Sequence, residues 1–232
     1  MDMLEVNTHR NVTEKLKQKV IDGMADGASD MHRHYPTLMT VGSRCMTILE
    51  LGVRDIKSTW GLLAGLSQES FGTAILKSPH ELEFMSHRKL ISVDIEDPAI
   101  HGADIQEVYD LAEENNVHFE FHKSDTLTLE LEDDSFDAIF FDTDHTYEQL
   151  SAELKKWGPK ARTWMMFHDI ARFGKVLIPA INEFLADNPD WIIIPNMSTN
   201  ECMGFLTIAR TSSQQWETLS GNKFSDICGK PL

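Results

Sequence analysis

The sequence predicts an α/β fold: a mostly parallel sheet covered by helices on both faces. Three observations carry this. Short apolar runs of strand length recur along the chain, stretches with three- and four-residue apolar spacing alternate with them, and polar residues gather where the apolar runs end. With 232 residues, 41% of them hydrophobic and 9% aromatic, the chain suits one large domain with modest extensions and a sizeable core.

The first element is an amphipathic helix from Val12 to about Met24, with Val12, Leu16, Val20 and Met24 on one stripe. It is expected to lean on the main domain or on a partner, self-association included. The polar, glycine-containing stretch from Gly27 to Gly42 reads as a connector or a segment folded over a ligand. Met46–Leu51 is the first strand, and Gly52 ends it. After the turn at 53–57, Ser58 is expected to cap a helix with Trp60, Leu63 and Leu66 on its apolar side. Ser78-Pro79-His80-Glu81 has the spacing of a capping box and predicts a short helix through Met85.

Lys89–Ile95 is the second strand. A helix over Ala103–Glu114 turns Ile105, Val108, Tyr109 and Ala112 inward, and Val117–His122 and Phe136–Phe141 are the third and fourth strands. The next helix buries Tyr147, Leu150, Leu154 and Trp157, and Thr163–Phe167 is a fifth strand. A helix over 176–187 follows. Trp191–Ile194 and Gly204–Ile208 have no helix between them, so they are expected to pair antiparallel at one end of the sheet. Residues 211–232 are polar and read as a tail, with Trp216 and Phe224 docking on the body.

Composition narrows the function. The 37 acidic against 21 basic residues give a net charge of −16, a field that repels a phosphate backbone, and the lysine groups 15/17/19 and 155/156/160 read as solvated helix faces. No nucleic-acid partner is expected. The absence of a long apolar segment predicts no membrane partner and a cytoplasmic protein. Cys45, Cys202 and Cys228 form no zinc spacing, and Cys45 and Cys202 read as small core residues.

In an open α/β sheet, ligands bind beyond the carboxyl ends of the strands, so those residues carry the functional reading. Gly52 allows a sharp strand exit and close approach of a ligand to backbone, although an ordinary strand–helix turn explains it equally. The G-x-G-x-x-G dinucleotide pattern is absent. Asp94 closes an apolar strand, where a carboxylate can accept ribose hydroxyls or cap a helix. Ser124-Asp125 can meet an adenine amino group or form a plain turn. The densest group is Asp142-Thr143-Asp144-His145-Thr146-Tyr147, in which Asp144 or Thr146 can also serve as a helix cap. With His168-Asp169 at the neighbouring strand end, Asp142 and Asp169 suit a hard cation such as Mg²⁺, and His145 suits proton transfer. His168 would favour a softer metal.

These motifs resemble the class I S-adenosylmethionine-dependent methyltransferases, and among them the macrocin O-methyltransferase and cephalosporin-hydroxylase-like branch. The resemblance covers roughly residues 46–209. It is most specific at Asp142–Glu148, then Leu154, Trp157, Pro159 and Phe167-His168-Asp169-Ile170, and Glu50-Leu51-Gly52 with Ser58-Thr59-Trp60 matches the first cofactor motif. It implies a Rossmann-like seven-stranded sheet with an antiparallel last strand, an S-adenosylmethionine-binding domain over 46–210, and an N-terminal helix and substrate-side cap over 1–45. It implies cofactor contacts from Glu50, Gly52, Ser58, Asp94, Asp125 and Asp142, divalent-cation ligands Asp142, His168 and Asp169, and His145 as general base toward a small-molecule or sugar hydroxyl. Arg54, Trp60 and residues 27–42 are expected on the substrate side. Ile56 stands where the family often has glycine, and His168 where metal-dependent relatives often have an acid. Another metal-dependent enzyme, a hydrolase or oxygenase, and a non-catalytic nucleotide-binding or assembly protein are the competing readings.

Overall fold

β-branched and aromatic residues in short runs between polar turns give seven strands, and a computed structural model describes them within residues 12–68, 88–132 and 135–211. They are β1 (Thr47–Leu51), β2 (Arg88–Asp94), β3 (Val117–Lys123), β4 (Phe136–Phe141), β5 (Ala161–His168), β6 (Trp191–Ile193) and β7 (Phe205–Arg210). One sheet joins them in the order β3-β2-β1-β4-β5-β7-β6. The first five are parallel, and β7 runs antiparallel to both β5 and β6, as the short link after Trp191 predicts. The helix expected at 78–85 and the tail beyond Thr211 lie outside the described residues.

Burial on both faces explains why the central strands are apolar throughout and not alternating; β4 is buried at every position. One face carries Ile48, Leu90, Ala138, Phe140 and Met166, covered by helices α1 (Glu14–Ala25), α2 (Tyr35–Gly42), α3 (Lys57–Ser67) and α4 (Ile105–Glu114). The other carries Leu49, Val93, Ile139, Phe141 and Phe167 under α5 (Tyr147–Trp157) and α6 (Gly174–Asp187). The chain winds outward through β2 and β3, then restarts beside β1 at β4. The β1/β4 boundary is therefore the point where the winding reverses, and its carboxyl end is where open sheets of this kind take their ligands.

Four readings change at this level. The connector at 27–42 contains α2, which starts with Pro36 at its first turn and buries Tyr35, Leu38 and Val41. Ser58 is not a cap: α3 begins after Ile56, a left-handed residue with φ 59°, and Ser58 lies buried inside the helix. Tyr109 stays 37% exposed, because its hydroxyl accepts a bond from the Phe121 amide at the sheet edge. Cys202 belongs to a left-handed turn before β7, while Cys45 is buried as expected.

α1 packs on the domain instead of standing apart. Leu16 and Val20 are buried, Lys15 and Lys19 pair with Glu114 and Glu107 of α4, and Asn115 accepts a bond from the Thr13 amide. None of the described helices is long and apolar enough to cross a membrane.

Candidate active site

The crevice is assembled from three strand exits. At the first, Gly52 has φ 90°, and a side chain there would lie 2.0 Å from the Asp142 carbonyl oxygen, so only glycine lets the β1 and β4 exits touch. The Gly52 amide donates to the Val93 carbonyl and the Asp142 amide to that of Leu51, which laces β1, β2 and β4 together. Beneath them Glu50 is fully buried and accepts bonds from Ser58 (2.6 Å), Thr59 (2.9 Å) and Ser92 (2.5 Å). Burial pushes its carboxyl up to about 7 against the pull of those hydroxyls. Glu50 and Ser58, both expected to contact a cofactor, are bonded to each other here and fix the floor under the Gly52 turn.

Asp94 ends β2 with one carboxylate oxygen accepting from the Val53 and Arg54 amides (2.7 and 2.9 Å) and the other from the Glu96 amide (2.9 Å). A carboxylate has room for about four bonds, so capacity remains for a hydroxyl while the loop after β1 is held in place. Asp125 turns its oxygen back to the Leu127 amide at 2.8 Å, and Trp60 packs under α1 with the Lys19 ammonium 5.3 Å from its ring centre. Arg54 is exposed at the crevice rim.

At the β4 and β5 exits four titratable side chains converge. Asp142, His168 and Asp169 each place one donor atom within 4.8 Å of the others. The His168 Nδ1 is 3.2 Å from Asp142 Oδ1 and 3.7 Å from Asp169 Oδ2. His145 Nε2 is 2.7 Å from Asp169 Oδ2 and 3.7 Å from Asp142 Oδ1. The 2.7 Å contact lies off the ring's N–H axis, so this nitrogen has charge neighbours but no aligned acceptor. The His145 ring stacks on Phe173 at 4.4 Å. Burial disfavours charge on both histidines, yet the carboxylates win: Asp142 and Asp169 raise His145 to about 9, and Asp142 chiefly does the same for His168. Asp142 is correspondingly lowered, its burial outweighed by bonds to both rings. Asp169 itself is buried in the left-handed region at φ 59°. A small cleft opens here, with Leu150, Phe167 and Leu177 in its lining.

The donor set passes a chemical test for a cation. His168 Nε2 lies 3.3 Å from the Cys202 carbonyl, which can only accept, so that nitrogen carries the ring proton. A neutral ring then aims the Nδ1 lone pair at carboxylate oxygens, an arrangement that requires positive charge between them: a second proton or a metal ion.

Two contributors were not found from the sequence. Glu153 is buried and accepts from Thr126, Thr143 and Gln149, pinning the loop that carries Asp142. Its signal was an acid on the Leu150/Leu154/Trp157 stripe. The carbonyl of Cys202 had no signal, since backbone carries none. Segment 27–34 crosses to this turn, with His34 Nε2 2.9 Å from the same carbonyl and Arg33 paired with Glu201.

A doubly wound seven-stranded sheet, antiparallel only at β7, with its polar crevice where the winding reverses, defines the class I S-adenosylmethionine-dependent methyltransferase fold. Residues 49–170, more than half of the chain, match a family described as a methyltransferase domain, and the chain belongs to that family. No curated protein matches. Among solved structures it is similar to a Corynebacterium glutamicum protein (12% identity, TM-score 0.56, covering 88% of this chain and 93% of that one). It is also similar to cofactor-bound Rv0187 from MTB (15%, 0.54, 87% and 92%) and to the O-methyltransferase from Bacillus cereus in complex with SAH (15%, 0.51, 85% and 91%). These likenesses show the fold. The protein is a methyltransferase.

Proposed function

We infer that the protein moves the methyl group of S-adenosylmethionine to a hydroxyl oxygen of a small molecule or sugar, with a divalent cation assisting. The observation that supports this best is the convergence of Asp142, His145, His168 and Asp169 beside the crevice that Gly52 and Asp94 line. Bound S-adenosylmethionine supplies a methyl carbon activated by its sulfonium, which leaves alignment and proton removal to the chain. A divalent cation held by Asp142, His168 and Asp169 would supply charge that orients an acceptor hydroxyl and makes it more acidic.

The chain's own groups divide the rest. The Gly52 turn would bring the β1 exit up to the cofactor, and Asp94 would offer its remaining acceptor capacity to the ribose while holding that turn. His145, fixed between the Phe173 ring and Asp169, is the group that would take the acceptor's proton. The apolar cleft floor keeps water from competing for the methyl group. The named solved O-methyltransferase from Bacillus cereus, bound to SAH, supports the oxygen acceptor by analogy of fold alone.

The test is a pair of variants assayed for S-adenosylhomocysteine binding and for methyl transfer to a panel of hydroxylated acceptors. His145→Ala is expected to bind the cofactor product as the wild type does and to transfer about 10²- to 10⁴-fold more slowly. Asp142→Ala is expected to lose cation-dependent transfer. Unchanged transfer rates in both variants would sink the reading.

A further inference from the structure

We propose that the cation site selects a first-row transition-metal ion such as Co²⁺ or Zn²⁺ over Mg²⁺, with His168 Nδ1 as the selecting ligand; this rests on the metal-assisted reading above. The ring is firmly set. The His168 side chain is 2% exposed, with His34 edge-on at 5.2 Å and Phe205 at 6.5 Å. It cannot swing aside without opening the core.

Its proton is placed by the turn between β6 and β7. Cys202, Met203 and Gly204 run consecutively at φ 48°, 67° and 94°, a backbone that side-chain-bearing residues adopt only when their surroundings impose it. The constraint is visible: the Ala171 and Arg172 amides both donate to the Met203 carbonyl, at 2.8 and 3.1 Å, and a side chain at Gly204 would meet Ala171 N at 2.3 Å. So held, the Cys202 carbonyl receives both imidazoles, His34 at 2.9 Å and His168 at 3.3 Å. An acceptor behind Nε2 fixes the tautomer of the neutral ring, so that a cation displacing the second proton meets Nδ1 beside the two carboxylates, the outer support that ligating histidines ordinarily have.

The resulting donor set is one imidazole nitrogen and two carboxylate oxygens. Mg²⁺ favours oxygen ligands and keeps its waters, whereas imidazole suits Co²⁺ and Zn²⁺. An acid at position 168 would complete an oxygen set and suit Mg²⁺; the histidine present, oriented by a strained turn, does the opposite.

The experiment titrates Mg²⁺, Zn²⁺ and Co²⁺ calorimetrically into wild type, His168→Asp and the near-isosteric His168→Asn, and records the visible spectrum of bound Co²⁺. Binding of S-adenosylhomocysteine reports which variants are folded, and either folded variant suffices. Nearly every nitrogen–oxygen site ranks transition ions above Mg²⁺, so the deciding quantity is the change in the Co²⁺/Mg²⁺ affinity ratio. That ratio is expected to fall by at least about tenfold on replacing His168, with a changed Co²⁺ spectrum. An unchanged ratio and spectrum would overturn the selection while leaving a cation site standing. Failure of all three ions to bind wild type that still binds S-adenosylhomocysteine would overturn the selection and the cation part of the proposed function together, leaving methyl transfer itself in place.

Discussion

His145, His168 and Glu50 each carry a pKa displaced upward by their surroundings, and that gives the protein a stability that depends on pH in one direction. The two rings titrate near 9 in the folded, cation-free protein against an ordinary 6.5. A raised histidine stabilises the fold fully below its unfolded pKa and loses that contribution as pH climbs through the folded one, so the window is about pH 6.5 to 9. Glu50, raised from 4.5 to about 7 chiefly by burial, likewise favours the fold when protonated and loses this between those values. Thermal midpoints measured in chelator are therefore expected to fall from pH 5 to 9. Glu50→Gln should flatten the lower part and His168→Asn the upper. A profile rising over this range would contradict the placement of these groups. The same field bears on catalysis: carboxylates that hold the His145 ring also hold its proton, so chelated enzyme should gain activity as pH rises toward 9. The base form grows by about tenfold per unit below its pKa.

At the scale of elements, two glycines separate packing from chemistry. Gly42 of α2 and Gly65 of α3 cross with backbones touching; a side chain at Gly65 would lie 2.8 Å from both the Gly42 Cα and the Met39 carbonyl oxygen. Neither atom can yield as a flexible side chain would, so Gly65→Ala is expected to cost roughly 1–3 kcal/mol in chemical denaturation and to leave the turnover of folded protein near wild type. Gly52→Ala should instead abolish S-adenosylhomocysteine binding, because it drives the β1 exit off Asp142. A Gly52 variant that binds normally would remove that turn from the site. The sequence made the strands legible because both-face burial demands unbroken apolar runs. It concealed α2, because glycines and polar residues around it masked Tyr35, Leu38 and Val41, although Pro36 was a valid start signal. Ile56 is instructive in the other direction. It occupies the left-handed position that the family's glycine would fill, and the 96% burial of its side chain by the core holds it there. The pairing of Asp142 with Asp169 was legible from their strand ends. The Cys202 carbonyl was not, since it depends on how a hairpin turn folds over a distant strand.

Taken as a whole, the molecule has two wound halves, and the crevice is where their backbones are tied. Gly52 bonds to Val93, Asp142 to Leu51, and Asp94 to Val53 and Arg54, so the exits of β1, β2 and β4 share one network. α1 fastens the first half, clamping α4 through Lys15 and Lys19 while burying Leu16 against the α3 side. A ligand seated on this network contacts both halves and should stabilise them together and not one alone. S-adenosylhomocysteine at a hundredfold excess over its Kd is expected to add about 2.7 kcal/mol to unfolding, seen as one cooperative transition that moves with ligand concentration. His145→Ala should keep the full shift, in keeping with the acceptor-side role proposed for that ring. Two transitions of which only one responds would show that the halves unfold separately, and the crevice would then be a contact between units in place of the tie that makes them one.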